Sequence, residues 1–245
     1  MSGSEERTLP QEKAAARAFI ESVIRSSKDQ AAIIPFEGYA HVEQPLTRDV
    51  IGIYRTLELV DVAVPSYTGS APALTGVVSK PGTVGPPLEG TTAIWDAIAL
   101  TSRQVMARSA RPRRRAIILL TDGWDTSSRL SRSTAIDQAI ESETIIYAIG
   151  IGDSRQEGVD KKVLKNLAES TGGTAFFPKK EEDLRAAFAE IERELRSQYL
   201  VAYSSTNKKH DGSFRKMTIE ITNPDLRKEQ LRIRYRPGYY AKKSG

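Results

Sequence analysis

The sequence contains no cysteine and only two histidines. The absence of thiols excludes disulfides, thiolate nucleophiles and cysteine-based zinc or iron–sulfur sites, so a metal site would need oxygen ligands. No uninterrupted apolar run approaches the ~18 residues that a transmembrane helix needs, and the amino-terminal residues lack the apolar middle of a signal peptide. The sequence therefore predicts no direct insertion of this chain into a membrane.

The chain also lacks a strong net charge of either sign. It has 36 Lys and Arg residues and 31 Asp and Glu residues, which gives a formal net charge of +5. This excess is too small to indicate a nucleic-acid partner. The most basic run, residues 111–115, has no interleaved aromatic residue and lies between a predicted helix and a predicted strand. It is more typical of a solvated turn than of a nucleic-acid surface, and we expect no nucleic acid to bind.

With 245 residues and 39% apolar residues, the chain has the size and composition of one soluble α/β domain with a small appendage. Helical and strand-like patterns alternate along it. The predicted order is helix 10–27, strand 31–36, edge strand 39–46, helix 49–59, helix 92–110, strand 116–121, helix 131–142, strand 144–151, helix 160–171, strand 174–177 and helix 181–197. This alternation predicts a Rossmann-like, doubly wound and mostly parallel sheet with helices on both faces.

Two segments depart from this alternation. Residues 61–90 are rich in proline and glycine and show no sustained period, which predicts a long surface loop. Residues 198–204, 214–222 and 231–240 alternate apolar and polar side chains, which predicts a small antiparallel sheet. We therefore divide the chain into a domain at 1–197 and a C-terminal β extension at 198–245 that packs on it.

Ligands of open α/β sheets bind beyond the carboxyl ends of the strands. Asp122 follows directly after a buried strand, Thr91 and Thr92 begin a predicted helix, and Ser2 and Ser4 precede another. Taken singly, each feature is more often a turn, a helix cap or a disordered end. In combination, hydroxyl and carboxylate oxygens are suited to Mg²⁺ or Mn²⁺.

This constellation resembles the metal-ion-dependent adhesion site of a von Willebrand factor type A domain. That family has the pattern Asp-x-Ser-x-Ser, a threonine before a later helix, and an aspartate in a Thr-Asp-Gly turn. Ser2 and Ser4 match the two serines, Thr92 matches the threonine better than Thr91 does, and Asp122 matches the second aspartate. The motifs that carry the resemblance are Gly-Thr-Thr-Ala-Ile-Trp-Asp-Ala at 90–97, Ile-Leu-Leu-Thr-Asp-Gly at 118–123 and Ile-Tyr-Ala-Ile-Gly-Ile-Gly at 146–152.

Three further stretches are similar to the subgroup known as VWFA-related domains of acidobacterial type. They are Gly-Gly-Thr-Ala-Phe-Phe at 172–177, Gln-Tyr-Leu at 198–200 and Arg-Pro-Gly-Tyr-Tyr at 236–240. The resemblance thus covers nearly the whole chain and implies a bacterial protein. Relatives in this subgroup commonly carry export signals, which favours an exported parent protein, periplasmic or extracellular, although the sequence leaves the location open.

The resemblance also implies a first strand that ends in the first aspartate of the motif and precedes Met1. We therefore expect this chain to lack its central strand, between strands 31–36 and 116–121, and to lack one anionic metal ligand. Metal binding would then be weak or absent. Our hypothesis is that the chain begins at an internal Met, through a mis-set start codon or as a fragment. Two competing hypotheses stay open: the neighbouring strands pair directly, or another chain donates a strand.

The function that the resemblance implies is non-enzymatic protein binding, for adhesion or scaffolding. Ser2, Ser4, Thr92 and Asp122 would hold Mg²⁺ or Mn²⁺, and an acidic side chain of the protein partner would complete the coordination. One alternative is a metal-dependent phosphoesterase-like hydrolase, for which Asp125 is the only further acid near Asp122. The other is a structural fragment without metal. The sequence has no Gly-x-Ser-x-Gly elbow or complete phosphate-binding loop, so an enzyme is not expected.

Overall fold

The computed structural model describes residues 5–24, 28–60, 91–106, 114–152, 158–197, 201, 203–229, 231 and 233–242. Its helices and strands alternate along most of the chain. They are α1 (Glu5–Val23), β1 (Ala31–Ile33), β2 (Gln44–Thr47), α2 (Val50–Leu59), α3 (Ile94–Leu100), β3 (Arg115–Thr121), α4 (Arg132–Glu141), β4 (Thr144–Gly150), α5 (Lys161–Thr171), β5 (Ala175–Phe176), α6 (Glu181–Ser197), β6 (Phe214–Lys216), α7 (Pro224–Lys228) and β7 (Gly238–Tyr240). The predicted loop at 61–90 lies outside the described residues.

The centre of the fold is a three-stranded parallel sheet in the order β3-β4-β5. Successive side chains of β4 point to opposite faces, as the pleat of a strand requires. Ile146 and Ala148 belong to a buried cluster that includes residues of α3, α4 and α5. Tyr147 and Ile149 belong to a second cluster with α1 and α6. The prediction of a parallel sheet covered by helices on both faces is confirmed.

The first residues of three predicted helices are the N-caps of those helices in the structure. Asp49, Ser131 and Asp160 each accept a hydrogen bond from a backbone N–H in the first turn of α2, α4 and α5. These bonds satisfy donors that the helix itself leaves unpaired. Gly172 ends α5 with a φ of 85°, a conformation that favours glycine.

Two predicted helices have different bounds in the structure. α1 begins at Glu5, so Pro10 lies within the helix and not in its first turn. The helix predicted at 92–110 begins at Ile94, and after Leu100 the chain continues as a π-helical segment, Thr101–Met106. No helix of the described residues is long and apolar enough to cross a membrane.

The strands before α2 form a sheet of their own. β1 pairs with β2 antiparallel, and neither strand pairs with the three-stranded sheet among the described residues. The buried side chains of Ile53 and Leu57 on α2 pack with Ile20 of α1 to form a third apolar cluster next to this hairpin. The sheet of the described chain is therefore split into two parts.

The C-terminal segment contains less strand than predicted. β6 and β7 form a two-stranded antiparallel sheet, but residues 217–222 and the described residues of 231–237 are not strands. Residues 223–225, which lie between two of the predicted strands, begin a short helix, because Asn223 caps α7 and Pro224 occupies its first turn. The antiparallel extension is confirmed, while its boundary at 198 stays a prediction.

Tyr240 connects the C-terminal sheet to α4 through a hydrogen bond. Its hydroxyl donates a 2.6 Å hydrogen bond to the Asp137 carboxylate on α4, and this bond raises the pKa of Tyr240 to about 12. The bond exists only while the phenol keeps its proton. Its contribution to stability is therefore complete below the unfolded pKa near 10 and is lost as the pH rises toward about 12.

Replacing Tyr240 with Phe is expected to lower the free energy of unfolding by about 1 kcal/mol at pH 7, the contribution of one hydrogen bond. It should also remove part of the stability loss that the native protein shows between pH 10 and 12. Urea unfolding followed by circular dichroism at pH 7, 10 and 11.5 measures both effects. Equal pH profiles for the two proteins would contradict the role given to this bond.

Candidate functional site

The site begins where β3 ends. The carbonyl oxygen of Thr121 accepts a 3.0 Å hydrogen bond from the N–H of Ile151, and that of Asp122 accepts a 2.8 Å bond from the N–H of Asp160. Gly123 then turns the chain with a φ of 93°, and a Cβ there would lie 3.1 Å from Leu164 Cγ. The ends of β3 and β4 and the start of α5 thus converge around Asp122.

The Asp122 side chain is half-buried at this convergence. Its Oδ1 accepts a 3.0 Å hydrogen bond from the N–H of Trp124, and its Oδ2 has no partner among the described residues. A Cβ placed on Gly152 would lie 3.3 Å from Asp122 Cβ, so the absence of a side chain at 152 gives the aspartate its room. As far as the described residues go, one carboxylate oxygen of Asp122 is therefore available to bind a ligand.

The main chain of Thr92 is hydrogen-bonded to the loop that follows Asp122. Its N–H donates to Thr126 Oγ1 at 2.7 Å, and its carbonyl oxygen accepts from the N–H groups of Thr126 and Ser127 at 2.9 and 3.1 Å. Since Thr126 lies in the loop that follows Asp122, these bonds hold Thr92 at the same edge of the sheet. The Thr92 hydroxyl makes no hydrogen bond within the described part of the chain.

Asp125 caps a helix, a role that was not predicted from the sequence. Its Oδ1 accepts a 2.7 Å hydrogen bond from the N–H of Ile94 and a 2.6 Å bond from the hydroxyl of Ser128. The residue that precedes α3, Ala93, offers no side-chain cap of its own. From the sequence alone Asp125 is interpreted as a solvent-facing loop acid, but this interpretation is wrong, because the residue caps α3 from a distant loop. Only the Oδ1 atom of Asp125 is used in this way, so the cap does not by itself remove Asp125 as the second acid of the hydrolase alternative.

Two further residues hold this loop, and the sequence analysis missed them. The Ser128 hydroxyl accepts from the N–H groups of Trp95 and Asp96 at 3.0 and 3.1 Å. In return, the Asp96 carboxylate accepts from the N–H groups of Arg129 and Leu130 at 3.0 and 2.9 Å. The run of small polar residues after Gly123 is the signal that could have indicated these caps, since such side chains favour helix N-termini and turns.

The structure describes two of the four predicted metal ligands. Ser2 and Ser4 lie outside the described residues, whereas Thr92 and Asp122 are brought to one edge of the sheet. Among the described residues, no group of three or more His, Asp or Glu side chains could hold a metal. The available donors, one carboxylate and one hydroxyl, are nevertheless hard oxygen ligands that fit Mg²⁺ or Mn²⁺ in a site of low negative charge.

Of the basic run at 111–115, the structure describes Arg114 and Arg115, and both side chains make hydrogen bonds to the protein. Arg114 donates hydrogen bonds to the carbonyl oxygens of Leu195 and Arg196 in the last turns of α6, at 2.6 and 3.2 Å. Arg115 donates to the carbonyl oxygen of Ser142 after α4 at 2.8 Å. Both guanidinium groups thus pair with helix C-termini, where a positive charge is favourable.

An aromatic side chain stands beside Asp122 at the surface. Trp124 is 41% exposed, and its indole N–H donates a 2.8 Å hydrogen bond to the carbonyl oxygen of Gly158. Leu130, at the end of the same loop, is 37% exposed. An exposed aromatic residue that is held in place by a hydrogen bond is typical of a protein-contact surface.

Comparison with known proteins agrees with the predicted fold, and a family model matches part of the chain. Residues 83–190 match the von Willebrand factor type A domain. Similar solved structures include BatB from Bacteroides thetaiotaomicron (20% identity, TM-score 0.51, covering 77% of this chain and 89% of that chain). Also similar is an aerotolerance-related membrane protein from Bacteroides fragilis (18% identity, TM-score 0.54, covering 78% of this chain and 89% of that chain). A third similar structure is a von Willebrand factor type A protein from Catenulispora acidiphila (19% identity, TM-score 0.52, covering 76% of this chain and 38% of that chain).

No curated protein matches this chain at a significant level. At these identities the structural similarities concern the fold alone, and they agree with the α/β architecture described above. The metal, the identity of a partner and the export of the parent protein stay predictions.

Proposed function

Because residues 83–190 match the von Willebrand factor type A domain, we propose that this chain is a non-enzymatic protein-binding module that uses a divalent cation. Domains of this family are generally protein-interaction or adhesion modules and are mostly not enzymes. The proposal for this chain is that Asp122, Thr92, Ser2 and Ser4 hold Mg²⁺ or Mn²⁺. An acidic side chain of the partner would be the remaining ligand.

The observation that supports this proposal most directly is the attachment of Thr92 to the loop that follows Asp122. Two residues that are distant in sequence place a hydroxyl and a carboxylate oxygen at one edge of the sheet, and neither oxygen has another partner among the described residues. A cation held mainly by neutral hydroxyls keeps most of its positive charge. It would therefore attract a carboxylate from another protein without any bond being made or broken.

The surroundings of Asp122 suit a protein partner. The exposed ring of Trp124 offers apolar area next to the aspartate. Both carboxylate oxygens of Asp96 and the Oδ1 atom of Asp125 accept backbone N–H bonds, which makes the loop rigid. A charged centre with an aromatic neighbour is a common arrangement for a binding hot spot. We expect the partner to cover Trp124 while its carboxylate reaches the cation.

Asp122→Ala is expected to weaken Mn²⁺ binding by at least tenfold, because it removes the only carboxylate assigned to the site. Mn²⁺ is the probe, and its binding is followed by electron paramagnetic resonance of the free ion and by quenching of tryptophan fluorescence, to which Trp95 and Trp124 both contribute. Added acetate, the simplest carboxylate, should displace water from the bound Mn²⁺ and lower the water-proton relaxation rate. Mg²⁺ should compete for the same site.

Asp225→Ala is the matched control, since Asp225 is an exposed carboxylate on α7 that no part of the proposal uses. Its Mn²⁺ affinity should equal that of the native protein. If Asp122→Ala and Asp225→Ala bind Mn²⁺ equally, the cation proposal is wrong. If Mn²⁺ binds but acetate changes nothing, the partner's carboxylate is not a ligand.

A further inference from the structure

β6 and β7 belong to a longer hairpin that includes α7. Backbone hydrogen bonds join Ala241 to Ser213 and Met217 to Pro237, one residue beyond the two strands at each end. Farther toward α7 the two arms are not paired among the described residues. Side chains from both arms and from α7 line an open groove of about 470 Å³, which we call the hairpin groove: Ile219, Ile221, Arg227, Leu231, Ile233 and Tyr235.

The arm after α7 turns its charged side toward the domain and its apolar side toward solvent. Arg234 lies 3.3 Å from Glu190 and also pairs with Glu194, and both acids belong to α6. Leu231 and Ile233, which line the hairpin groove, are 50% and 38% exposed. A soluble domain normally turns its apolar side inward, and a group of exposed apolar side chains marks a surface that binds something.

The C-terminal extension is strongly basic, although the whole chain is not. Residues 198–245 contain eleven Lys and Arg residues and four Asp and Glu residues, a net charge of +7, whereas residues 1–197 contain 25 and 27. A second copy of the chain would bring another charge of +7 against the hairpin groove. Self-association there is therefore unfavourable, and an anionic partner is favoured.

Several cations of the extension are available to such a partner. Within the described part of the chain, four exposed lysines make no ion pair: Lys208, Lys209, Lys216 and Lys242. Arg215 of β6 holds the first two beside the hairpin, because it donates to the carbonyl oxygens of Asn207 and Lys209 at 2.8 and 2.6 Å. Next to them, the ring of Tyr203 packs on that of Tyr239 and is still 55% exposed.

The hairpin lies at the end of the sheet opposite the candidate cation site. α5 starts at that site, where the N–H of Asp160 donates to the carbonyl oxygen of Asp122, and it ends at Gly172. A Cβ on Gly172 would lie 3.0 Å from the backbone of Tyr235 and Arg236. The 11 residues of α5 span about 16 Å. The hairpin groove and the cation site can therefore be occupied at the same time.

From these observations we propose that the hairpin docks on an anionic lipid bilayer. Leu231 and Ile233 would enter the boundary between headgroups and acyl chains, while the exposed lysines face the lipid phosphates. The apolar side chains and the lysines are spread along the hairpin and do not surround one closed pocket. A bilayer offers an apolar layer and anionic groups together and needs no match of shape. The chain would lie on the bilayer and not span it.

Co-sedimentation of the full chain with lipid vesicles in EDTA tests this docking. Vesicles that contain equal parts of phosphatidylglycerol and phosphatidylcholine should bind the protein at least tenfold more tightly than phosphatidylcholine alone, because each basic group near an anionic surface contributes about fivefold. Raising the salt from about 0.1 to about 1 M shortens the screening length from ~10 to ~3 Å and should weaken binding. Equal sedimentation with both kinds of vesicle would overturn the proposal.

A pair of charge reversals tests the location of the basic surface. Lys208→Glu combined with Lys209→Glu should reduce binding to the anionic vesicles at least tenfold. Lys162→Glu combined with Lys165→Glu makes the same change of net charge at exposed positions on α5 and should reduce it much less. An equal loss in both double variants would show that binding follows net charge alone, and the hairpin would not be the docking surface.

A second pair of variants tests the apolar contribution. Leu231→Ser combined with Ile233→Ser should also weaken binding at least tenfold, because these side chains would no longer enter the bilayer. Ile51→Ser combined with Leu59→Ser is the matched control, at positions on α2 that are 64% and 77% exposed. Unchanged binding of the Leu231 and Ile233 variant would contradict docking through the groove. The two vesicle compositions are compared with the native protein, so the test stays decisive if a variant does not fold.

An acidic polypeptide is the alternative occupant, and fluorescein-labelled polyglutamate is its probe. If polyglutamate binds the native protein but anionic vesicles do not sediment it, the partner is an acidic polypeptide and the lipid proposal is wrong. The inference goes beyond the proposed function and does not depend on it, because EDTA removes the cation. Failure of vesicle binding would leave the Mn²⁺ result for Asp122→Ala unaffected, and the reverse also holds.

Discussion

Asp125→Ala is expected to lower the free energy of unfolding by about 2 kcal/mol, the upper end for loss of a helix cap. The variant leaves the N–H of Ile94 and the hydroxyl of Ser128 without their short bonds to Oδ1, at 2.7 and 2.6 Å. It should also weaken Mn²⁺ binding indirectly, because Thr126, the neighbour of Asp125, positions Thr92. Urea unfolding and the Mn²⁺ titration measure the two effects.

Asp125→Asn is the matched variant for this experiment. It keeps an oxygen acceptor at the Oδ1 position and removes the charge, so we expect it to lose less than half as much stability as Asp125→Ala. Asp122→Ala provides the contrast, since it gives up a single hydrogen bond to the N–H of Trp124 and should unfold near the native urea concentration. Native stability in Asp125→Ala would show that the distant cap is dispensable.

Gly173→Ala is expected to destabilise the protein by about 3 kcal/mol, the upper end for overpacking. A Cβ on Gly173 would lie 2.0 Å from the carbonyl oxygen of Ile146 and 3.1 Å from Ile145 Cγ2. Both belong to β4, the central strand of the three-stranded sheet, so neither atom can move without disturbing the sheet. Thermal unfolding should show a decrease of roughly 10 °C in the melting temperature.

Gly158→Ala separates crowding from backbone strain. Gly158 has a φ of 70°, but a Cβ there would meet no atom within 4 Å. The cost should therefore be only the strain of a left-handed alanine, about 1 kcal/mol. If Gly173→Ala costs no more than Gly158→Ala, the close approach of Gly173 to β4 does not limit the packing.

The elements that the sequence predicted well have a strong local signal. α6 has the predicted bounds, 181–197, because its apolar residues recur at helical spacing over many turns. β3 and β4 were found within one residue at each end, since each is a continuous apolar run that ends in small or polar residues. The C-terminal strands were overestimated because the alternation of apolar and polar residues continues beyond the paired segments, as at 217–222, which are not part of β6.

The caps of α3 were missed for a different reason. Asp125 and Ser128 lie about 30 residues after the helix that they cap, at 31 to 33 positions from their hydrogen-bond partners. Helix-end rules apply to residues adjacent in sequence, so they identify Asp49, Ser131 and Asp160 but cannot identify a cap from another loop. The same distance explains why Asp125 looked like a free acid.

The sequence by itself determined the alternation of helices and strands, the oxygen character of the candidate site and the position of Asp122 beyond a buried strand, because these follow from local pattern and residue chemistry. The tertiary structure alone decided which carboxylates are occupied, that Thr92 lies at the same edge as Asp122, and that Arg234 faces the domain while Leu231 and Ile233 face solvent. These features depend on contacts between residues far apart in the chain, and only the folded backbone brings such residues together.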